Sequence, residues 1–577
     1  MTEGKKDSSF AYAYPLLIKR VLETGVKHAP EQLIVYADKS RYTYRKLQER
    51  VVQLAAGLSD LGVQPGDTVA VMDWDSHRYL ECFFAVLMMG ATLHTINVRL
   101  SPDQILYTIN HAKDDVILVN SEFLSVLEQI WSRVEGVKAL ILLDDVGDQP
   151  KTILPLRTDY EALLAKADPG YTFPEFDENT RATTFYTTGT TGLPKGVYFS
   201  HRQLVLHTLS GMSALSGTGH GRFNADDVYM PITPMFHVHA WGIPYIATAL
   251  GVKQVYPGKY APDALLDLIR EEKVTFSHCV PTILQMMLAS PKAKNFDFSD
   301  WKVIIGGAAL PRPLAKQALE RGIDIYAGYG MSETCPLLTL ALLTAEAEKW
   351  DIDKQVEIRC RAGRPVPLVD LRVVDPAMND VARDGVSSGE IVVRAPWLTQ
   401  GYLHDPDNSE KLWLGGWLHT GDIGLIDADG YLKITDRLKD VIKTGGEWVS
   451  SLDLEDLILK HPGLAEAGVI GVPDPKWTER PLAVVVARAG QTVSEADIKQ
   501  KLQEYASQGL ISRFAVPDRI EFVSALPRTS VGKIDKKALR QLSTRKQRHT
   551  GPLGLNNSRI SARPSAKTRA QACALGV

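Results

Sequence analysis

The sequence has few cysteines for its 577 residues. There are five, Cys82, Cys279, Cys335, Cys360 and Cys573, and they are widely dispersed. They form no C-x-x-C pair and no cluster with histidine, so the sequence indicates neither a disulfide framework nor a structural zinc site. A reducing cytoplasm is therefore the expected location.

A strong charge of either sign is also absent. Lysine and arginine number 65 against 68 aspartates and glutamates, which gives a formal net charge of −3. This balance argues against nucleic acid as the main partner and suits a small neutral or acidic substrate.

Long hydrophobic runs are missing as well. The most apolar run, CFFAVLMMGATL from Cys82, is too short to span a bilayer. The first ten residues, MTEGKKDSSF, lack the apolar segment of a signal peptide. We expect a soluble protein without an integral membrane segment.

What is present is an alternation of strand and helix patterns. DTVAVM from Asp67 and DDVILVN from Asp114 read as buried strands, whereas HRYLECFFAVLMMG and SPDQILYTINHA read as helices, the second with a serine cap and a proline in its first turn. The same alternation returns in WKVIIGGAAL, PRPLAKQALERG and IDIYAGYG. It predicts an α/β fold with parallel sheets flanked by helices.

The chain is too long for one core, so at least two domains are expected. After about Arg437 the sequence becomes charged and glycine-containing, with short strands (GVIGV, PLAVVVARAG) and an amphipathic helix (EADIKQKLQEYA). We predict domains at 1–436 and 437–545. Residues 546–577 are rich in Arg, Ser, Gly and Pro and predict a disordered basic tail.

The segment YTTGTTGLPKG, from Tyr186 to Gly196, combines hydroxyls, glycines and one lysine, which is a phosphate-binding set of groups. A plain mobile turn is the alternative. The segment is not a Walker loop, because Lys195 precedes the last glycine and no hydroxyl follows it.

Three further stretches hold compatible chemistry. In GYGMSET, Tyr329 is suited to stack a purine, Ser332 to contact a phosphate and Glu333 to hold Mg²⁺. In WLHTGDIG, Asp422 is expected in a tight turn, where its carboxylate accepts both ribose hydroxyls. In PRTSVGKID, Lys533 is expected on an exposed glycine turn. Taken singly, each has a structural alternative: a surface helix start for Glu333, a turn residue for Asp422 and a solvated charge for Lys533.

Taken together, seven ordered segments closely resemble the adenylate-forming superfamily of acyl-CoA synthetases, luciferases and peptide-synthetase adenylation domains. They are YTTGTTGLPKG, PMFHVHAWG, GGAAL, YGMSET, GWLHTGD, DRLKDVIKTGGEW and PRTSVGKIDKKAL, and the resemblance extends to about residue 545. LHTINVRLSPDQILYTINHA, MFHVHAWG and IKTGGEWVSSLDLE are similar to the fatty-acyl-CoA synthetase branch, which includes medium- and long-chain fatty acid ligases and methylmercaptopropionate ligases.

This resemblance implies a large N-terminal domain of parallel-rich sheets flanked by helices, a β-barrel-like part, and a small mobile α+β C-terminal domain. It implies a ligase that uses ATP, Mg²⁺ and coenzyme A. A carboxylate first attacks the α-phosphorus of ATP to give acyl-AMP and pyrophosphate, and coenzyme A then takes the acyl group and releases AMP.

By the same resemblance, Lys533, His237 and Glu333 are the catalytic residues, and Thr187 and Glu333 hold the metal. Lys195 and the loop hydroxyls hold the outer phosphates, Lys533 bridges the substrate carboxylate and the α-phosphate, and Asp422 and Arg437 hold the ribose. The residues expected to contact ATP are Thr187, Thr188, Gly189, Thr190, Thr191, Gly192, Lys195, Gly307, Ala308, Ala309, Gly328, Tyr329, Gly330, Met331, Ser332, Asp422, Arg437, Lys439, Lys443, Trp448 and Lys533. Ser332 stands where relatives commonly have threonine, and the hydroxyl is kept.

For the second half-reaction, the resemblance implies that the small domain turns about a hinge at Lys439. This rotation withdraws Lys533 and presents Lys443, Gly445, Gly446 and Trp448 to coenzyme A. Glycines suit a channel in which the thin pantetheine arm passes close to the backbone.

The acyl-binding residues are expected to be His237, Val238, Trp241, Gly242, Gly306 and Met331. Resemblance makes His237 a positioning residue that closes the acyl site and Trp241 a gate to a fatty acyl tunnel, while His239 has no comparable support. Ala327 stands where relatives often carry a longer polar residue.

These groups offer no evident cation for a second carboxylate, so a medium- to long-chain fatty acid is favoured. An aromatic or methylthio-alkanoate acid, an enzyme that passes its adenylate to another acceptor, and a non-catalytic relative are the alternatives. Chain length, a homodimer and transient membrane contact through the basic tail are left open.

Overall fold

The computed structural model describes residues 12, 14–145, 150–187, 193–217, 221–444, 447–508, 510–528 and 534–549. Within these ranges the helices are α1 (Lys19–His28), α2 (Tyr44–Asp60), α3 (His77–Met88), α4 (Pro102–Ala112), α5 (Leu124–Ile130), α6 (Tyr160–Lys166), α7 (His201–Ser216), α8 (Val238–Trp241), α9 (Ile243–Leu250), α10 (Pro262–Glu272), α11 (Pro281–Ala289), α12 (Arg312–Glu320), α13 (Ile352–Arg359), α14 (Pro406–Leu412), α15 (Ser451–Leu459), α16 (Glu495–Ser507) and α17 (Lys536–His549).

The strands of the same ranges are β1 (Leu33–Tyr36), β2 (Ser40–Thr43), β3 (Thr68–Met72), β4 (Thr92–Thr95), β5 (Val116–Asn120), β6 (Ala139–Leu143), β7 (Leu156–Asp159), β8 (Arg181–Thr187), β9 (Lys195–Ser200), β10 (Val228–Ile232), β11 (Lys253–Tyr256), β12 (Phe276–Cys279), β13 (Lys302–Ile305), β14 (Asp324–Gly330), β15 (Leu337–Leu340), β16 (Arg364–Pro365), β17 (Asp370–Val374), β18 (Gly389–Arg394), β19 (Leu418–Ile426), β20 (Leu432–Arg437), β21 (Ile442–Thr444), β22 (Glu447–Val449), β23 (Leu464–Asp474), β24 (Thr478–Ala487) and β25 (Arg519–Phe522).

Two large sheets form the N-terminal part. The first has the order β7-β6-β5-β3-β4-β8-β9 and is parallel except for the β8–β9 pair. The second has the order β16-β15-β14-β13-β12-β10-β11-β1-β2 and is parallel from β14 to β1, with antiparallel pairs at both ends. The predicted α/β fold with parallel sheets is confirmed.

Helix α3 joins the two sheets into one core. All twelve of its residues are buried, and it contacts β3 and β4 of the first sheet and β1 of the second. Nine of the twelve residues carry no strongly polar or charged group, and a helix that is apolar on most of its sides is expected to be enclosed in this way. Its Phe83 stacks on Tyr245 of α9, at a ring separation of 5.5 Å.

Local signals set several of these elements. Helix α4 begins after Ser101, whose side chain accepts from the backbone N–H of Gln104 in a capping box, with Pro102 in the first turn. The predicted elements around β3, α3, β5, β13, α12 and β14 are likewise confirmed.

A four-stranded antiparallel sheet, β17-β18-β19-β20, corresponds to the barrel-like part of the prediction. Residues beyond it form a separate sheet in the order β22-β21-β24-β23, with β25 parallel to β24, and this sheet is covered by α15, α16 and α17. The small sheet has hydrophobic clusters of its own, which include Val469, Ala483 and Ile520 on one side and Ile470 and Leu482 on the other.

The prediction of short strands in this part was wrong. Strands β23 and β24 have 11 and 10 residues and pair along their whole length. They extend beyond the apolar runs because the polar flanking residues, down to the pair Asp474 and Thr478, continue the antiparallel ladder.

No helix among the described residues is long and apolar enough to cross a membrane.

Candidate active site

One large cavity, of about 1310 Å³, opens at the edge where the parallel strands of the second sheet end. The segments after β10, β12, β13 and β14 of that sheet meet there with the last residue of β8 from the first sheet, as expected for the carboxyl ends of strands in an open α/β sheet. The predicted site residues that line this cavity are Thr187, Lys195, His237, Val238, Trp241, Gly306, Gly307, Ala308, Ala309, Gly328, Tyr329, Gly330, Met331, Ser332, Glu333, Asp422, Arg437 and Lys439.

The remaining predicted site residues either do not line the cavity or lie outside the described residues. Gly242 and Lys443 are described but do not line it. The backbone N–H of Lys443 donates to the Glu479 carboxylate at 3.0 Å, and Trp448 is described only as a backbone partner of Lys443 in β22. Thr188, Gly189, Thr190, Thr191, Gly192, Gly445, Gly446 and Lys533 lie outside the described residues.

The predicted phosphate segment connects the two strands of a hairpin. Thr187 ends β8 and pairs directly with Lys195, which begins β9. Both residues face the cavity, so the strands place a hydroxyl and an ammonium group at the base of the connection.

Glu333 lies in a 3-10 turn, Ser332–Thr334, and is only 7% exposed. The alternative of a surface helix start is therefore wrong. Its backbone carbonyl accepts from the N–H of Thr399 at 2.9 Å, and its carboxylate accepts from the Tyr402 hydroxyl at 2.7 Å. Burial raises the pKa of the Glu333 carboxyl, and the hydrogen bond from Tyr402 opposes that shift.

The oxygen donors near this point fit a magnesium ion. Glu333 provides a carboxylate and Thr187 a hydroxyl in the same cavity, and Mg²⁺ usually takes one or two protein oxygens together with substrate phosphates and water.

A second polar group, suited to a nucleoside, forms around Asp422. The Tyr329 hydroxyl donates to Oδ2 of Asp422 at 2.8 Å, and Nε of Arg437 lies 3.4 Å from Oδ1. The predicted tight turn was wrong, because Asp422 lies inside β19 and pairs with Arg437 of β20. Gly421, directly before Asp422, has a φ of +68°, a conformation that glycine adopts without strain.

The end of the cavity around Trp241, where the sequence predicts acyl binding, is built on an unusual turn. Val238, His239, Ala240 and Trp241, the four residues of α8, all have left-handed φ angles between 48° and 59°. Residues other than glycine rarely adopt this backbone conformation, and each residue that does costs about 1–2 kcal/mol. Such strain is a marker of functional segments, and here it lies directly after His237.

The turn directs Trp241 into the cavity. The Trp241 ring lies 4.9 Å from the His278 ring, and a Cβ on Gly306 would come within 2.8 Å of it, so the missing side chain at 306 makes room for the indole. The apolar side chains that line the cavity in this part of the fold are Val238, Ile243, Val280, Ile304 and Leu337.

His239, which the sequence left without a role, points away from the cavity into the core. It is fully buried among the rings of Phe83, Phe185, Phe199 and Tyr245. Its ring nitrogens have no hydrogen-bond partner among the described residues, and burial lowers the pKa of His239 to about 3.

Sequence reasoning missed the residues that fix the loop before His237. Asp75 accepts from the backbone N–H of Met235 at 2.8 Å and from the Tyr260 hydroxyl, and Thr95 donates to the carbonyl of Phe236 at 3.0 Å. Burial raises the pKa of Asp75 to about 7. Asp75 follows β3 and Thr95 ends β4, so the first sheet fixes the loop that follows β10 of the second sheet.

Tyr402 was also missed, although it lines the cavity and contacts Glu333. In the sequence it stands in TQGYLHD, where no spacing to the phosphate segment marks it. Its place in the site depends on tertiary pairing with β9.

The C-terminal part forms the other wall of the cavity. Arg312 of α12 lies 3.4 Å from Asp456 of α15, and Arg528 donates to the Thr282 hydroxyl at 3.0 Å. Ile534, Asp535, Lys536, Lys537 and Arg540 also line the cavity. At the connection between the two parts, partial desolvation and the positive charge of Arg437 lower the pKa of Lys439, although the residue is exposed.

Known proteins are similar to this chain in sequence and in architecture. Residues 22–403 match the AMP-binding enzyme family and residues 453–533 match the AMP-binding enzyme C-terminal domain. A long-chain-fatty-acid–CoA ligase of Thermus thermophilus is 40% identical over 87% of this chain and 90% of its own. A 3-methylmercaptopropionyl-CoA ligase of Ruegeria lacuscaerulensis is 38% identical over 91% of this chain and 97% of its own. The crystal structure of ATP-bound MatB from Rhodopseudomonas palustris superposes with a TM-score of 0.78, at 26% identity, over 92% of this chain and 99% of that one.

Proposed function

This chain belongs to the AMP-binding enzyme family and is an acid–thiol ligase, and from that premise we propose that it is an ATP-dependent ligase of medium- to long-chain fatty acids. The reaction converts a fatty carboxylate and ATP to acyl-AMP and pyrophosphate. Coenzyme A then attacks the acyl-AMP, and acyl-CoA and AMP leave.

The observation that supports this proposal best is the single cavity with three chemically distinct ends. Lys195 and Glu333 lie at a phosphate end, Asp422 with Tyr329 at a nucleoside end, and Trp241 with its apolar neighbours at an acyl end. The volume of about 1310 Å³ exceeds the ~300–1,000 Å³ that is usual for one small ligand. Space for a nucleotide and an acyl chain side by side is what the first half-reaction requires.

In adenylation, the chain's own groups orient two anions that would otherwise repel each other. Lys195 and the loop hydroxyls bind the outer phosphates, Asp422 and Arg437 bind the ribose, and His237 borders the carboxylate. Glu333 and Thr187 would hold Mg²⁺, and the bound ion supplies positive charge to the phosphate oxygens. Positioning and charge stabilisation are the main contributions that an enzyme makes to such a phosphoryl-centred displacement.

Lys533 is assigned to the α-phosphate and the attacking carboxylate in this step. The support is its place in PRTSVGKID and the fact that the described residues on both sides, Arg528 and Ile534, line the cavity. His237 is assigned as a positioning residue, because a carboxylate nucleophile is already ionised at neutral pH and needs no general base.

For thioester formation, the C-terminal part turns about Lys439 and brings Lys443, Gly445, Gly446 and Trp448 to the cavity. Lys443 lies outside the cavity in the present arrangement, which is consistent with a residue that enters only after rotation. One cavity then serves both half-reactions in turn.

The apolar lining around Trp241 favours an alkyl chain over a polar acid. Ala327, in the middle of β14, lines the cavity with a small side chain and so leaves room for the acyl chain. A methylthio-alkanoate is the second candidate, because a relative at 38% identity is named for 3-methylmercaptopropionate and a thioether suits the same lining. An aromatic acid and an acceptor other than coenzyme A are the remaining alternatives.

The decisive experiment follows pyrophosphate release with ATP, Mg²⁺ and unbranched acids from short to long, together with methylmercaptopropionate and benzoate. Each acid is tested with and without coenzyme A, and the products are identified by mass. We expect acyl-CoA, with a maximum at medium or long chain length.

Two variants serve as controls in that experiment. Lys533→Ala is expected to abolish acyl-AMP formation, whereas Lys166→Ala, on an exposed position of α6, is expected to keep it. Wild-type adenylation by Lys533→Ala would refute the mechanism, and pyrophosphate release without a thioester would refute the role of coenzyme A.

We also propose a cytoplasmic location, a homodimer and transient membrane contact through residues 546–577. Light scattering of the purified chain measures the oligomer. Liposome binding of the full chain and of a chain ending at residue 545 measures the contribution of the tail, and equal binding by both would refute membrane contact through it.

A further inference from the structure

Tyr402 lies between the two charged groups that the proposed function assigns to the phosphate end. Its hydroxyl donates to Oε1 of Glu333 at 2.7 Å, and Nζ of Lys195 lies 4.5 Å from the centroid of its ring. We propose that Tyr402 is a positioning residue for adenylation, whose hydroxyl orients the Glu333 carboxylate and whose ring orients the Lys195 ammonium. This inference rests on the proposed function and deepens it.

The hydroxyl acts on the carboxylate alone. An ionised carboxylate has about four lone-pair sites, so one hydrogen bond at Oε1 holds that oxygen in place and leaves capacity for a cation. Glu333 is almost wholly buried, and burial strengthens the effect of a directed hydrogen bond. Partners that orient metal-binding carboxylates typically change metal affinity by about 10–100-fold when they are removed.

The ring acts on the ammonium group alone. A cation above the face of a tyrosine is attracted by the electrons of the ring and needs no hydrogen bond for that contact. The three N–H donors of Lys195 therefore stay available for phosphate oxygens. Since Lys195 begins β9 and faces the cavity, the ring contact directs the ammonium toward the region of the outer phosphates.

The backbone around Tyr402 is fixed to both sides of the site. Leu403 N–H donates to the carbonyl of Gly196 at 2.8 Å, and Thr399 N–H donates to the carbonyl of Glu333 at 2.9 Å. Tyr402 N–H donates to the Ser409 hydroxyl of α14 at 2.8 Å. The side chain thus starts from a rigid position, as a residue that pre-orients two others requires.

The test separates the two contacts with two variants of the full chain. Tyr402→Phe removes only the hydroxyl, and Tyr402→Leu also removes the ring. Calorimetry measures the Kd for ATP and for AMP, each over a range of Mg²⁺ concentrations. AMP is the internal control because it lacks the outer phosphates. Tyr198→Phe, a half-buried tyrosine of β9 that does not line the cavity, is the matched control.

For Tyr402→Phe we expect the Mg²⁺ concentration that gives half of the ion's effect on ATP binding to rise about tenfold. Its Kd for AMP and its Kd for ATP without Mg²⁺ should stay within about twofold of wild type. Tyr402→Leu should in addition weaken ATP binding without Mg²⁺ by roughly twofold to fivefold, through loss of the cation contact.

Two results would overturn the proposal. One is an unchanged Mg²⁺ dependence in Tyr402→Phe. The other is an equal loss of ATP and AMP affinity in both variants together with a fall in Tm, since this would show a purely structural role. Failure of the proposed function is recognised separately, because wild type would then bind ATP without forming any acyl product.

Discussion

At the scale of single residues, the buried carboxyl of Asp75 has a pH consequence for stability. Its neighbours are Met235 N–H, the Tyr260 hydroxyl, Arg99 and Asp73, and burial raises its pKa from 3.8 to about 7. Between these values the folded chain holds a proton that the unfolded chain has lost. The protonated Asp75 carboxyl therefore contributes its full share to the free energy of unfolding below about pH 4, and this contribution is lost as the pH rises to about 7.

The variant Asp75→Asn should not show this loss, because its amide accepts from Met235 and donates to Tyr260 without ionising. The free energy of unfolding of wild type should fall relative to the variant by on the order of 4 kcal/mol from about pH 4 to about pH 7, and the gap should then stay constant. Urea unfolding at several pH values measures it. Parallel profiles for the two proteins would contradict the prediction.

Asp422 offers a second test at this scale. Asp422→Asn loses the charge that faces Arg437 and one acceptor for a ribose hydroxyl. Hydrogen bonds to charged groups contribute about 1.5–3 kcal/mol, so the KM for ATP should rise about tenfold or more, with a smaller change in kcat. Steady-state kinetics with ATP varied measures this, and Asp429→Asn, an exposed neighbour after β19, is the control. An unchanged KM for ATP would remove Asp422 from the nucleoside end.

Sequence motifs predicted some of the site residues but not the residues that contact them. Asp422 and Glu333 were identified by their motifs, whereas Asp75 and Tyr402 were not. Asp75 contacts Met235, which is 160 residues away in the chain, and Tyr402 contacts Glu333 at a separation of 69. Contacts between residues so far apart in the chain arise from tertiary packing and leave no local pattern in the sequence.

At the scale of elements, β13 and the left-handed turn α8 together set the width of the acyl end. In Gly306→Ala the new Cβ would lie 2.8 Å from the Trp241 ring and 3.2 Å from the carbonyl oxygen of Gly328, so the indole must move. We expect kcat/KM for a long-chain acid to fall about tenfold or more and that for a short acid to change much less, because steric clashes in a packed site cost about 1–3 kcal/mol.

Acids of increasing length, assayed with wild type and Gly306→Ala, measure this change in specificity. Gly170→Ala, at an exposed position outside the cavity, controls for the general effect of replacing glycine. A uniform loss for acids of every length would show that Gly306 does not determine chain length.

Helices and strands with a cap or an apolar run in the local sequence were predictable, whereas the left-handed turn at 238–241 was not. The capping box fixes the start of α4, and continuous apolar runs mark β3 and β5. In PMFHVHAWG no residue but the last favours a positive φ, and Val238 and Trp241 disfavour it. The conformation follows from tertiary contacts, chiefly the burial of His239 among four aromatic rings.

At the scale of the whole molecule, the proposed function requires the C-terminal part to rotate about Lys439. Lys439→Pro would fix φ at that residue and remove its N–H, so the connection loses freedom. We expect acyl-AMP formation to fall no further than in Lys439→Ala, which also lacks the side chain, and thioester formation to fall about a hundredfold or more. Pyrophosphate release and transfer of preformed acyl-AMP to coenzyme A measure the two half-reactions.

Lys439→Ala keeps the freedom of the backbone and is the matched control at the same position. If both variants lost thioester formation equally, the side chain would be responsible and the pivot would lie elsewhere. If Lys439→Pro kept both half-reactions, rotation at this residue would not be needed.

The α/β class and the assembly of distant motifs into one site were predictable, since motif order and strand–helix alternation are both read along the chain. That α3 joins the two sheets could not be predicted from the sequence. Its apolar residues indicated burial, but HRYLECFFAVLM contains His77, Arg78 and Glu81, which are buried as well. They are accommodated by partners from other elements, such as Arg50 and Tyr160 on Glu81.

The left-handed turn at 238–241 also determines how the acyl end tolerates mutation. In an ordinary helix, glycine and asparagine are among the poorer substitutions, whereas here they relieve a backbone that already has four positive φ angles. β-Branched residues have the opposite effect. A combinatorial library at Val238 and Trp241, the two turn positions that line the cavity, should therefore yield folded variants enriched in glycine and asparagine. Lineages that adapt to new acids can change the lining at these two positions with little backbone cost.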